Sequence, residues 1–361
     1  MPSSQPLSDP AATEVVTPAA DDGDTAETAP KPKRRRRKII LIAVLVPLVL
    51  IGAGCLAAGL YLHNVTGKVS RVDAFSSVPE ASRPQKEAVA GKAQNFLLLG
   101  SDSRDPENTG GSRSDTIIVL HLNKDKSAAQ LISIPRDTWV HVPRSSDGRH
   151  GNVDAKINAA FAWGGVPLMV ETVEGYTGVR IDHVAMVDFA GFKDIVDALG
   201  GVTIDVETSF TSTHSLSAGG KRHFDKGVQE MDGAAALDYA RERYSFKDGD
   251  FARIRHQQQV IKAILDKASS GGMLSSPAKL NSFLQATTST VGVDETLNLY
   301  STATQLRHLR SGDLHFYTSP SKGTGMIGDQ SVVLPDQTKA KALFTAVRKD
   351  DTAAINSLAA N

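Results

Sequence analysis

The chain has 361 residues, 40 Lys+Arg against 40 Asp+Glu, 40% hydrophobic residues, 16 Pro and a single Cys. That length holds one large or two modest domains, and the composition excludes a collagen, a mostly disordered chain and a disulfide scaffold. The balanced charge gives no global reason to bind nucleic acid.

Residues 1–30 carry six acids, no base and almost no large apolar side chains. Such a segment cannot offset the entropy of ordering, so 1–38 reads as a disordered cytoplasmic tail. It ends in a basic run from Lys31 to Lys38. Ile39–Leu62 then runs for 24 residues without a charge. As a helix it is about 36 Å long, enough to cross a ~30 Å hydrocarbon core. Bases immediately before a span stay inside, so the N-terminus is expected in the cytoplasm and the rest outside a cell membrane crossed once. A cleaved signal peptide would have a shorter apolar run. Cys55 reads as a small apolar residue of this helix.

Residues 63–92 are mixed and polar and read as a stalk. A domain is expected over 93–349, with a short C-terminal tail at 350–361. Within the domain, 95–100, 116–123 and 128–135 read as strands. Residues 156–165 and 166–178 read as helices stopped by glycines. A strand at 181–189, a helix at 190–201 and a strand at 202–207 follow. Asp232 caps a helix to about Arg243, and Asp250 opens a longer one to about Lys267. Helices near 276–288 and 294–310, a strand at 313–319 and a last helix after Pro335-Asp336 complete the chain. Strands alternating with helices indicate a three-layer α/β domain with a mixed sheet between helices.

No Walker loop, GxSxG elbow, HExxH or CxxC is present. Loops and helix ends carry arginine and aspartate instead. Gly100-Ser101-Asp102-Ser103-Arg104 follows one strand, and Ser112-Arg113-Ser114-Asp115-Thr116 precedes the next. If the two strands are neighbours, Asp102 and Asp115 share a sheet edge. A carboxylate pair suits Mg²⁺, which keeps several waters and phosphate oxygens. Equally, each Asp could cap a turn or pair with an arginine. Ile134-Pro135-Arg136-Asp137 ends a strand, where proline stops pairing. Lys156 opens the 156–165 helix in this reading. Arg241 and Arg243 end one helix, and Arg253 and Gln257 share a face of the next. Three arginines near one turn can grip a pyrophosphate through bidentate bonds. The alternative is a salt-bridge network with Glu242, Asp248 and Asp250.

In this order, NFLLLGSDSR (95–104), SRSDT (112–116), SIPRDTWV (133–140), KINAAFAWGG (156–165), VDFAGFKDIVDALGGVTIDV (187–206), ALDYARER (236–243) and GDFARIRHQQQVI (249–261) resemble the LytR-CpsA-Psr family of bacterial cell-wall ligases. The resemblance implies a phosphotransferase on the outer face of the membrane. Such an enzyme moves a glycopolymer, with one phosphate, from a polyprenyl-pyrophosphate carrier to a peptidoglycan hydroxyl. It implies Mg²⁺, with Mn²⁺ as the alternative, held by Asp102 and Asp115. Catalytic roles would fall to Asp102, Asp115, Arg136, Arg241, Arg243 and Arg253, and substrate binding to Arg104, Arg113, Lys156 and Gln257. His256 stands where the family often has Arg, which puts one positive contact in question. Asp102, Asp137 and Asp250 are candidate bases for the acceptor hydroxyl. Two other readings of the same residues are a polyprenyl-pyrophosphate phosphatase and a non-enzymatic lipid- or polysaccharide-binding regulator.

Overall fold

A computed structural model describes residues 69–101, 114–213, 215, 220–270, 277–306 and 309–359. The chain divides into units Met1–Ala58 and Gly59–Asn361, and every described residue belongs to the second. The acidic tail, the basic run and the apolar stretch 39–62 lie outside the described residues. Among the described residues, no helix is long and apolar enough to cross a membrane.

The chain opens with β1 (Ser70–Val72), β2 (Gln94–Ser101), β3 (Ser114–Leu122) and β4 (Ala129–Ser133). It continues through β5 (Trp139–Val142), β6 (Val153–Lys156), α1 (Ala159–Thr177), β7 (His183–Asp188) and α2 (Phe189–Ala198). Then come β8 (Val202–Val206), β9 (Phe210–Thr211), β10 (His223–Phe224), β11 (Gly227–Met231), α3 (Gly233–Arg241), α4 (Asp250–Ser269) and α5 (Pro277–Thr290). The last elements are β12 (Val291–Asp294), α6 (Leu299–Leu306), β13 (Leu314–Thr318), β14 (Ser321–Ile327), β15 (Gln330–Pro335), α7 (Gln337–Arg348) and α8 (Thr352–Ala359).

Seven strands form one mixed sheet in the order β1-β12-β7-β2-β3-β4-β13. The apolar run Phe96–Leu99 puts β2 at its centre, antiparallel to β3 and parallel to β7. Successive side chains alternate between the two faces. One face carries Leu97, Leu99, Ile117, Val119, Ile132 and Val184, packed with Phe161 and Met169 of α1, Leu343 and Phe344 of α7 and Ile355 of α8. The other carries Phe96, Ile118, Leu122, Leu131 and Val293, against which Ile261 of α4 and Leu306 of α6 pack. A satellite core joins β8, β11, α3 and α4 through Val202, Ile204, Met231, Tyr239 and Val260. The expected mixed sheet between helices is therefore observed.

Four expectations are corrected. From Val69 the expected stalk is part of the domain: β1 pairs in parallel with β12, and Val69, Val72, Ala74 and Val78 are buried. In the same segment, Arg83 lies 2.8 Å from the Glu174 carboxylate of α1. The expected C-terminal tail holds α8, whose Ile355 is fully buried. Lys156 ends β6, opposite Trp139 of β5, and does not open a helix. The two helices expected at 156–178 form one run, 159–177, broken at Gly164-Gly165. Gly165 has φ +64 and ψ −152 there, a conformation that only glycine adopts readily.

Candidate active site

A cavity of about 550 Å³ lies between the second sheet face and helices α2, α3 and α4. Ile118, Leu120, Leu131, Ala185, Phe192 and Ile264 give it an apolar lining. Asp115, Arg136, Arg241, Arg243, Arg253 and Gln257 line it too. These polar groups gather where β3 begins and β2 ends, because Gly100 pairs with Thr116 and Ser101 with Ser114. From Asp115 to Leu120 the strand advances about 17 Å at ~3.4 Å per residue, so the charged and apolar ends are well separated.

A β-bulge aims Asp115. Strict alternation would put Asp115 on the face of Ile117 and Val119, in the first core. The β2–β3 register shifts between Gly100 and Ser101, leaving Asp115 as the extra residue on β3. A bulge turns its side chain out of the alternation. Asp115 thereby joins Thr116 and Ile118 in lining the cavity. Gly100 permits the close approach: a Cβ there would lie 2.9 Å from Thr116 Cβ.

Around Asp115 the charges form one network. Arg136 donates from Nη1 to Asp115 Oδ1. It sits in a turn fixed by Thr138, whose amide and hydroxyl donate to the Pro135 carbonyl. Arg136 Nε lies 3.7 Å from Asp137 Oδ2, and Lys156 Nζ 3.6 Å from Asp137 Oδ1. From α4, Arg253 reaches to 3.9 Å of Asp115 Oδ1 and also meets Asp250. Burial opposes the Arg136 charge, but Asp115, Asp137 and Asp250 outweigh it and hold the guanidinium more firmly protonated. Burial shifts Arg253 the other way, against the pull of Asp250. Asp250 is pushed up by burial and by Asp137, against Arg253 and Arg136. Neither Asp250 oxygen accepts a well-aligned hydrogen bond among the described residues. Its contact with Arg253 is thus an ion contact rather than a directed bond.

Arg241, the last residue of α3, lays its guanidinium 4.3 Å over the Phe189 ring. Arg243 lies 4.4 Å over Tyr244. Gln257 follows Arg253 by one helical turn. Of the residues expected in the site, Asp115, Arg136, Arg241, Arg243, Arg253 and Gln257 therefore converge, with Lys156 joined through Asp137. Asp102, Arg104 and Arg113 lie outside the described residues.

The alternative salt-bridge network is observed only in part. Asp250 meets Arg253, and Asp248 accepts from Arg255 at 2.6 Å. Glu242 instead accepts from backbone N–H groups. His256 is buried in an aromatic box, stacked 4.2 Å from Tyr239 and 5.5 Å from Phe210. Its Nδ1 bonds the Tyr239 carbonyl at 3.1 Å, and burial pushes its pKa down to about 4. His256 therefore packs α3 against α4 as a neutral ring and is not among the residues lining the cavity. Phe189 and its neighbour Asp188 were not singled out in the sequence. Asp188 caps α2 by accepting from the Gly191 amide at 2.6 Å, and its D-F-A-G spacing is the signal that marks it.

Among the described residues, no three His, Cys, Asp or Glu converge as a cation site. The donor chemistry still fits Mg²⁺. Asp115 is turned into the cavity with Oδ1 engaged by arginines, and Mg²⁺ needs only one or two carboxylates besides waters and phosphate oxygens.

Fold and site together define a class: α/β proteins with a cavity lined by apolar side chains along the sheet and by arginines at the β2–β3 end. The model of the LytR_cpsA_psr family matches residues 62–349, and the chain belongs to that family. It is 35% identical over 314 residues to the probable cell wall biosynthesis protein LcpB of Corynebacterium glutamicum, covering 82% of this chain and 70% of that protein. It is 33% identical over 249 residues to the polyisoprenyl-teichoic acid–peptidoglycan teichoic acid transferase TagV of Bacillus subtilis, covering 69% of this chain and 62% of the relative. The crystal structure of B. subtilis TagV matches with a TM-score of 0.59 at 29% identity, covering 73% of this chain and 98% of that one.

Proposed function

We propose that this chain is a cell-wall phosphotransferase, moving a glycopolymer with one phosphate from a polyprenyl-pyrophosphate carrier to a peptidoglycan hydroxyl. The observation that carries the reading is the amphipathic cavity, apolar along the sheet and lined with Arg136, Arg241, Arg243 and Arg253 where Asp115 enters. An isoprenoid chain matches the first part and a pyrophosphate the second. The TagV relative is named for a polyisoprenyl-linked donor and a peptidoglycan acceptor.

The chemistry follows from charge. A pyrophosphate resists nucleophiles because its own charge repels them, so transfer needs positioning and neutralisation more than covalent catalysis. The arginines supply both through fork-shaped donors that match phosphate oxygens. The acceptor oxygen bonds to the glycan-side phosphorus, and the bond from that phosphorus to the bridging oxygen breaks. Polyprenyl phosphate leaves with that oxygen. The hydroxyl proton passes to a carboxylate beside the arginines, Asp250 against Arg253 or Asp137 between Arg136 and Lys156. Mg²⁺, or Mn²⁺, held by Asp102 and Asp115, would neutralise further charge on the pyrophosphate. The apolar stretch 39–62 would anchor the chain in the cell membrane, N-terminus inside, and keep the domain near its lipid donor.

The test uses the full chain in detergent micelles with Mg²⁺, a sugar-labelled polyprenyl-pyrophosphate glycan and un-crosslinked peptidoglycan. Label bound to peptidoglycan, and lost in Asp115→Asn, supports the reading. Label released only to water identifies a phosphatase, and donor binding without turnover a binding protein.

A further inference from the structure

We infer that Glu242 is a positioning residue: its buried carboxylate folds the 242–245 turn and thereby aims the Arg241 and Arg243 guanidinium groups into the cavity. The inference rests on the transfer reading above and assigns a role to a residue that reading does not use. A carboxylate between two arginines looks like an ion-pair partner. Here its oxygens meet neither guanidinium among the described residues, and Glu242 is only 3% exposed.

Backbone geometry separates acid from bases. The helix ends at Arg241, and Glu242 is extended, with φ −68 and ψ 133. Arg241, Glu242 and Arg243 all border the cavity, and at this break in the helix the Glu242 side chain is buried against the backbone of the turn. Had the helix continued, residues two apart would diverge by about 200° around its axis.

The inward carboxylate then gathers the turn. Oε1 accepts from the backbone N–H of Arg243 at 2.9 Å, of Tyr244 at 2.7 Å and of Ser245 at 3.0 Å. Oε2 accepts from the Thr213 amide at 2.5 Å and the Thr213 hydroxyl at 3.1 Å. One side chain thus nests the arginine turn and ties it to the segment after β9. Ser245 adds a second tie, donating to the Thr211 carbonyl at 2.8 Å. Burial opposes the charge, but the Thr213, Ser245 and Tyr244 donors outweigh it and hold the carboxyl below its ordinary range. All of these neighbours donate, so the site needs a full carboxylate. A glutamine offers one acceptor oxygen and turns an NH₂ toward donors.

The experiment is a double-mutant cycle on the full chain in detergent micelles, with Glu242→Gln, Arg243→Ala and the pair. Readouts are transfer kcat and KM, inhibition by inorganic pyrophosphate, and thermal melting. The expected result is a loss of about tenfold or more in kcat/KM for Glu242→Gln, with weaker pyrophosphate inhibition and retained cooperative melting. The pair should lose less than the sum of the two single losses, because Glu242 acts in part through that arginine and otherwise through Arg241. Glu242→Asp, which keeps the charge, should recover part of the loss. Fully additive losses, or wild-type transfer by Glu242→Gln beside an impaired Arg243→Ala, would overturn the inference and leave the transfer reading intact. If neither Gln nor Asp at 242 gives a folded chain, the role is structural and the inference also fails. An undiminished Arg243→Ala would instead remove the transfer reading itself.

Discussion

Asp115 and Ile117 are two residues apart on one strand, yet Ile117 lies in the sealed core of one sheet face while Asp115 lines the cavity on the other. The bulge at Asp115 is the hinge of the site, because it delivers a carboxylate to Arg136 and Arg253 that regular pairing would bury among aliphatic side chains.

Gly100→Ala tests the bulge. The new Cβ would meet Thr116 Cβ at 2.9 Å, so the two strands must part. Overpacking of this kind costs about 1–3 kcal/mol. A denaturant melt should show that loss, and transfer should fall further than stability explains as Asp115 moves.

Arg253 balances buried acid. It is 4% exposed and meets Asp250 directly. Arg253→Met should cost about 3–5 kcal/mol by leaving the carboxylate uncompensated. Adding Asp250→Asn should return part of that stability without returning transfer, as paired melting and activity measurements would register.

The His256 box predicts an acid limb. An unfolded histidine titrates near 6.5, whereas this one is pushed down to about 4 by burial. Its stabilising contribution is complete above pH ~6.5 and drains away as the pH falls toward 4, by up to about 3 kcal/mol. His256→Phe should flatten stability across that window. Unchanged acid sensitivity in the phenylalanine variant would show that the limb belongs to another group.

The apolar lining predicts selectivity for the lipid. Ala185 lines it from the sheet. Ala185→Phe should raise KM for a long-chain donor about tenfold while sparing a donor with one or two isoprene units. Equal effects on both donors would argue against an isoprenoid in this channel.

Much of this was legible in the residues, for identifiable reasons. The apolar runs of β2, β3 and β4 and the cap at Asp232 are local signals, and Asp232 does accept from its helix, at 2.7 Å. The convergence of Asp115, Arg136, Arg241, Arg253 and Gln257 followed from motif order. β1 was not legible, since its three residues become a strand only by pairing with β12 more than two hundred positions away. Nor was the bulge, because alternation is the rule by which strands are read and the bulge breaks it. Glu242 and His256 were read by charge, as an ion-pair partner and a lost cation. Extended backbone at one and aromatic packing around the other reversed both meanings.

The most direct test of the transfer chemistry follows the two phosphorus atoms of the donor separately. A polyprenyl-pyrophosphate glycan is labelled with ³²P either next to the sugar or next to the lipid, and is given to the full chain with peptidoglycan. The sugar-side label should enter peptidoglycan and the lipid-side label should remain as polyprenyl phosphate. Retention of both labels on the lipid while glycan reaches peptidoglycan would mean glycosyl transfer, and would contradict the account.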